Sequence, residues 1–400
     1  ELFAGRGDKV VAPDLYWDNY ALIFEEACGA SMETFNTFKD GAFDADALKA
    51  ALLKPGEKKI VILNFPNNPT GYTATLADAP RIVAAVQAAA KAGKKVVVVL
   101  DDAYFGLVYE KGIHEESLFA EFATLDPNVL AVKLDGTTKE DYVWGLRVGF
   151  VSFAFKGATA EQLKALEAKA AGNVRSCVSN ITSIGQNMAL AALSDKDYAK
   201  QKREKYNVLK SRYATIRKIL KKNPAYADAF EVMPFNSGYF MCVKPKGVEA
   251  EKVRRLLIDK YSTGTIVLSG LIRLAFSTVP SAKLPELFAN VAAAINDLRK
   301  YAGTRGTEAH GRSPHAQEGT EEPADPHRHA GDHVSAGGHG QPRGQDEREG
   351  GRHGGCLGVP RRRALRPRRG RPRGAAALPA HVPRGDGPAR RRGAARVQEP

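Results

Sequence analysis

Between residues 10 and 153, short apolar, β-branched runs alternate with longer stretches of helical spacing. The runs at residues 10–12, 60–63, 96–100, 129–134 and 148–153 read as strands, and their near-continuous apolar character is that of strands covered on both faces. Residues 79–92 are Ala-rich, with Asp78 as N-cap, Pro80 in the first turn and Gly93 as a stop, and predict a helix. The pattern is helical from Gly157 to Lys222, and Leu209, Tyr213, Ile216 and Leu220 form one stripe that reads as core. Two more strands, at 239–244 and 272–276, alternate with a helix near 252–261 and a last one carrying Leu284, Leu287, Phe288, Val291, Ile295 and Leu298. The pattern predicts an α/β protein: a three-layer α/β/α, mostly parallel sheet over residues 1–204, then a smaller C-terminal α/β domain over 205–301. In open α/β sheets the ligand sits beyond the carboxyl ends of the strands. Asn68, Asp101 and Lys139 each follow closely on such an end.

Composition divides the chain near Tyr301. From 302 to 400 there is no Lys, Ile, Phe, Trp or Tyr, and Arg, Gly, Pro, Ala and His dominate, so this segment has too little apolar surface for a core. It is expected to be a disordered Arg/Gly/Pro-rich tail, and its abundant residue types are those encoded by GC-rich codons, which suits out-of-frame translation. The last hundred residues hold 19 Arg and no Lys against 11 acidic residues, so the basic balance of +14 owes more to the tail than to the rest. The tail has no aromatic residues to stack on bases, which argues against nucleic acid as a partner. Only His114 of the nine histidines lies before it, which argues against a histidine-based catalytic or metal site in the folded part. No apolar run approaches the roughly 18 residues of a membrane span. Cys28, Cys177, Cys242 and Cys356 are scattered without a CxxC pair, as suits a reducing, cytoplasmic compartment.

The chemistry lies in three runs. NFPNNPTG at residues 64–71 is a turn after a strand; VVVVLDDAY ends at Tyr104; KLDGTTKEDYVWGLRVGF carries Lys139 and Arg147. A lysine at a sheet end can serve as the nucleophile for a carbonyl cofactor, and a planar guanidinium suits a phosphate. A carboxylate ending an apolar strand is costly without a cation facing it, which singles out Asp101 with Asp102 as its rival. An Arg between Ile272 and Leu274 has the same need of a partner.

In type, order and approximate spacing, Trp17, Asn68, Asp101, Tyr104, Lys139, Arg147 and Arg273 resemble the fold type I, class I/II aminotransferases of the aspartate aminotransferase superfamily. The resemblance implies pyridoxal 5′-phosphate as cofactor and transfer of an amino group between an L-amino acid and a 2-oxo acid. It implies that Lys139 forms the Schiff base and shuttles the proton. Asp101 would pair with the pyridine nitrogen, the Asp-x-x-Tyr spacing to Tyr104 favouring it over Asp102. Tyr104 and Asn68 would bond the ring oxygen, Trp17 stack on the ring, Arg147 bind the phosphate and Arg273 clamp the α-carboxylate. Arg175, in RSCVSN, matches the position at which some members offer an arginine to the neighbouring subunit of a homodimer. The family's serine three residues before the lysine is Gly136 here, so Thr137 or Thr138 would replace it at the phosphate. The resemblance starts near Gly7 and lacks the family's glycine-rich phosphate loop, first strand and N-terminal arm, so the chain reads as N-terminally truncated. A β-lyase or decarboxylase of the same fold, or an inactive fragment, is the alternative, because the same cofactor residues serve all of them.

Overall fold

The computed structural model describes residues 2–308; the expectations for the tail beyond 308 lie outside the described residues. Its strands are β1 (Lys9–Pro13), β2 (Ser31–Phe35), the short β3 (Phe38–Lys39) and β4 (Ala42–Phe43), β5 (Lys58–Asn64), β6 (Lys95–Asp101), β7 (Val129–Gly136) and β8 (Gly149–Ala154), then β9 (Phe230–Val232), β10 (Met241–Pro245), β11 (Ile266–Leu268) and β12 (Leu271–Leu274).

The larger sheet has the order β2-β1-β5-β6-β7-β8. Every pair in it is parallel except β7 with β8, which is antiparallel. β5 and β6 are buried along nearly their whole length, as their unbroken apolar runs require. One face of the sheet packs on the helices Ala45–Leu53 and Asp78–Lys91, burying Leu48, Leu52, Ile82, Val86 and Ala89 with Val61, Val98 and Leu100. The other face buries Val10, Ile60, Ile62, Val97 and Val99 with Tyr20.

β2 was not expected. Its sequence, SMETF, is half polar and half exposed, and it gains a place by pairing with β1 at the sheet margin. β8 lies at the opposite margin, with Phe150 and Val151 exposed. The helix Ala160–Cys177 beside it is fixed by a capping box at Thr159 and Gln162 and buries no residue.

The smaller sheet, β11-β12-β10-β9, is antiparallel throughout. It packs against the helices Tyr198–Lys222, Ala250–Tyr261 and Leu284–Glu308, with Leu209, Tyr213, Ile216, Val253, Leu257, Phe288, Val291 and Ile295 in the core. Position 204 falls inside the Tyr198–Lys222 helix, so one continuous helix runs past the expected domain boundary, and both sheets belong to one compact unit. The last helix runs to Glu308, past the compositional break at 301.

Candidate functional site

The carboxyl ends of β5, β6 and β7 open into a cleft of about 400 Å³. Trp17, Asn64, Asn68, Asp101, Tyr104, Thr138, Lys139, Arg147, Phe240 and Arg273 line it. Residues spread over more than 250 positions of sequence thus converge because parallel strands end on one side and the antiparallel sheet brings β12 to the same opening.

The first wall is interlocked. Asn64 and Asp101 are register partners at the ends of neighbouring strands, and the Asn64 side-chain amide donates to the Asp101 carbonyl at 2.6 Å. Asn64 Oδ1 accepts the Asn68 N–H at 2.7 Å, and Asn68 Oδ1 accepts from Arg273 Nη1 at 2.8 Å. The Arg273 guanidinium lies 4.3 Å from the Phe240 ring centroid, a cation–π contact that fixes the plane of its donors. Asp101 Oδ1 accepts the Ala103 N–H at 3.2 Å, and Oδ2 accepts a short hydrogen bond from the Tyr20 hydroxyl. Both oxygens are therefore held.

Gly71 closes the turn with φ +74°, and its carbonyl accepts the N–H groups of Asn236 and Ser237 at 2.9 Å each. A Cβ at Gly71 would overlap the Phe240 carbonyl oxygen and lie 2.9 Å from that of Ser237. The residue is glycine because the chain entering β10 passes directly against it.

The second wall is the segment from Gly136 to Arg147. Its helix, Thr137–Glu140, is a single turn, and Tyr142, Gly145 and Arg147 have φ of 59°, 107° and 56°. Left-handed backbone at Tyr142 and Arg147 is strained for non-glycine residues; Tyr142 packs against the core of the smaller sheet and Arg147 lines the cleft. Lys139 Nζ stands 5.0 Å from the Tyr104 ring centroid. Burial lowers the Lys139 pKa and the charge of Arg147 adds to that, against the opposing pull of Asp101. Tyr104 is raised, by burial first and then by Asp101, so its phenol stays protonated and can donate.

The structure separates the two rival carboxylates. Asp102 turns away from the cleft, buried beside Lys133 at 3.5 Å, and burial pushes it up to about 6. The two threonines separate as well: Thr138 lines the cleft, while the Thr137 hydroxyl is directed to the Val148 carbonyl at 3.4 Å and the residue is buried. Of the two threonines expected as alternatives, Thr138 is the one on the cleft, and the Thr137 side chain is committed to the strand behind it. Arg175 is not among the cleft residues; it is exposed at the end of its helix and donates to Ser179 Oγ. Trp17 lines the cleft and packs edge-on against Tyr20, with centroids 5.7 Å apart.

Sequence reasoning missed Tyr20, Asn64 and Phe240. Tyr20 lies one helical turn after Trp17, and Asn64 ends its apolar strand as Asp101 ends the next, so spacing held a signal for both. Phe240 had none, because its role depends on Arg273 from another strand.

The family model for aminotransferase class I and II matches residues 1–291. The chain belongs to this family. A histidinol-phosphate aminotransferase of Sphingopyxis alaskensis is 28% identical over 205 residues, covering 50% of this chain and 47% of that protein. Histidinol-phosphate aminotransferase 2 of Ralstonia nicotianae is 35% identical over 188 residues, covering 46% and 42%. The chain thus spans about half the length of the curated relatives it matches. Among solved structures, an aminotransferase from Anaerococcus prevotii superposes with a TM-score of 0.66 at 26% identity, over 74% of this chain and 71% of that one. Among the described residues of this class I/II aminotransferase chain, no helix is long and apolar enough to cross a membrane.

Proposed function

We propose that this chain carries the cofactor and substrate residues of a pyridoxal 5′-phosphate-dependent aminotransferase that moves an amino group between an L-amino acid and a 2-oxo acid. The observation that supports it most is the convergence on one cleft of an amine, a carboxylate held at both oxygens, a protonated phenol and two guanidinium groups. This donor set fits the cofactor: Lys139 offers an amine for its aldehyde, Arg147 and Thr138 a place for its phosphate, and Asp101 an acceptor for a ring N–H. When bound, the cofactor supplies an electron sink for the carbanion formed at the substrate Cα.

The residues of this chain do the rest. Burial and Arg147 enlarge the neutral fraction of Lys139, which makes the amine a better nucleophile and a base for the Cα proton. Arg273, flattened on Phe240 and tethered to Asn68, presents a fork of donors to an α-carboxylate. Tyr104, beside the amine, and Asn68, on the same cleft, would hydrogen-bond a ring oxygen. Trp17 offers an aromatic face.

A homodimer is the assembly we propose, with Arg175 serving a second copy. The exposed apolar residues Val178, Ile181, Ile184, Met188 and Leu190 that follow Arg175 support a covered face there.

The test is the visible absorbance of the protein mixed with pyridoxal 5′-phosphate, before and after borohydride reduction, beside Lys139→Ala. A yellow band trapped on Lys139 and absent from the variant is expected; reduction onto other lysines with an unaltered band in the variant overturns the reading.

A further inference from the structure

Beyond Gly136 and Thr137, which still bond to Gly149 and Val148, the second wall lacks the strand pairing and interlocked amides of the first. Its one-turn helix is too short to stand alone, and the two left-handed non-glycine residues after it, Tyr142 and Arg147, cost backbone energy. Something must hold Lys139 in place. The outer flank is tied to the Tyr198–Lys222 helix, from which Lys202 pairs with Glu140 at 3.1 Å and Asp141 at 2.9 Å, and the Tyr198 hydroxyl also donates to Asp141. The cleft side is tied by Tyr239, which belongs to the chain entering β10.

The Tyr239 hydroxyl donates to the main-chain carbonyl of Lys139 at 3.1 Å, an oxygen that also accepts the Tyr142 N–H at 3.3 Å. The Tyr239 ring packs edge-on against Tyr104, with centroids 5.3 Å apart at 75°. Its own carbonyl accepts the Ser277 N–H at 3.2 Å, and the preceding Gly238 N–H is bonded to the Leu107 carbonyl at 2.8 Å. The next residue, Phe240, lies under Arg273 and edge-on to Tyr104 at 5.9 Å. One dipeptide therefore touches the peptide of the amine-bearing residue, the phenol beside it and the guanidinium across from it.

We propose that Tyr239 is a positioning residue that locks the Lys139 turn against the Tyr104 ring, so that the smaller sheet sets where the amine stands. This rests on the function proposed above only in the use made of the amine. Burial raises the Tyr239 pKa, so the hydroxyl remains a donor through the neutral range.

Tyr239→Phe keeps the ring and removes the hydroxyl. Tyr261→Phe, whose hydroxyl bonds Asp297 at 2.8 Å, is the control for losing one tyrosine hydroxyl elsewhere. In hydrogen exchange on the chain without cofactor, Tyr239→Phe should speed exchange over residues 137–147 by about fivefold, the effect of one net hydrogen bond on a local opening. Tyr261→Phe should leave that segment unchanged. With pyridoxal 5′-phosphate trapped at Lys139, the visible circular dichroism per bound cofactor should fall in Tyr239→Phe, because a loosened turn no longer fixes the chromophore. Unchanged exchange at 137–147, acceleration spread evenly over both sheets, or undiminished dichroism on cofactor trapped at Lys139 overturns the inference. Failure to trap cofactor in the parent chain overturns the proposed function instead, and the exchange result then decides the inference alone.

Discussion

The two walls of the cleft are built on opposite principles. From Asn64 to Gly71 and from Asp101 to Tyr104, the first wall is an extension of parallel strands, and Asn64, Asn68 and Asp101 are each bonded to another part of the wall or to β12. From Gly136 to Arg147, the second leaves β7 at Thr137, which bonds Val148, and continues as one turn of helix and a strained loop held from outside by tyrosine hydroxyls and one lysine. Under the proposed function, orientation of a ring and a carboxylate would reward rigidity, and an amine serving both a cofactor and a substrate proton would reward a segment with less internal bonding. The contrast predicts that substitutions in the first wall cost stability of the whole unit and those in the second cost little.

The largest effect is expected at Gly71. Alanine would meet the Phe240 carbonyl and place a side chain at φ +74°, so the chain entering β10 must shift. Gly71→Ala should lower unfolding free energy by roughly 3 kcal/mol or more in urea denaturation, the range of severe steric and backbone substitutions. A loss below about 1 kcal/mol would mean that the joint between the first wall and β10 yields easily, and the contrast between the walls would fail.

Asp102 gives the next effect, and it depends on pH. Its folded pKa of about 6 is raised by burial, opposed by Ser117 and Lys133. Below about pH 4 the carboxyl is protonated in both folded and unfolded chains and costs nothing; as pH rises toward 6 the unfolded chain ionises first, so the folded state loses stability. Asp102→Asn should remove that slope. The wild type should lose up to about 3 kcal/mol relative to the variant between pH 4 and 7, from two pKa units at 1.4 kcal/mol each. Parallel stability curves for the two proteins would show that Lys133, 3.5 Å away, compensates the buried charge in full.

Tyr20→Phe comes third. It leaves Asp101 Oδ2 without its buried donor while keeping the ring against Trp17 and Phe24. Thermal unfolding should show a loss of about 1–2 kcal/mol, the cost of an unsatisfied buried partner.

These same residues show what the sequence could and could not disclose. The strands of the first wall were legible because parallel strands buried on both faces are apolar without interruption, and Asn64 and Asp101 stand where those runs stop. β2 was illegible because an edge strand with a half-exposed, half-polar sequence carries no period. The choice between Asp101 and Asp102 followed only from a family spacing; the physical reason, that Asp101 ends the strand facing the cleft while Asp102 just beyond it is directed to Lys133, appears only in the structure. Tyr239 could not be read from sequence, since its partner is a backbone carbonyl a hundred residues away.

The smallest effect belongs to Lys139 itself. Its ammonium is penalised by burial and by Arg147, so its pKa falls on folding, and the cost to stability is present below the folded pKa and disappears as pH rises toward the unfolded value. Removing the charge should therefore stabilise the unloaded chain at neutral pH. Because the side chain is only partly buried, screening keeps the gain of Lys139→Met below about 1 kcal/mol. The variant should at the same time lose the whole borohydride-reducible band. A gain in stability coupled to a complete loss of trapping is the signature of a residue kept for chemistry at the expense of the fold, and no residue of the first wall should give it. If Lys139→Met instead destabilised the chain as Tyr20→Phe does, the amine would be part of the scaffold, and the second wall would be no freer than the first.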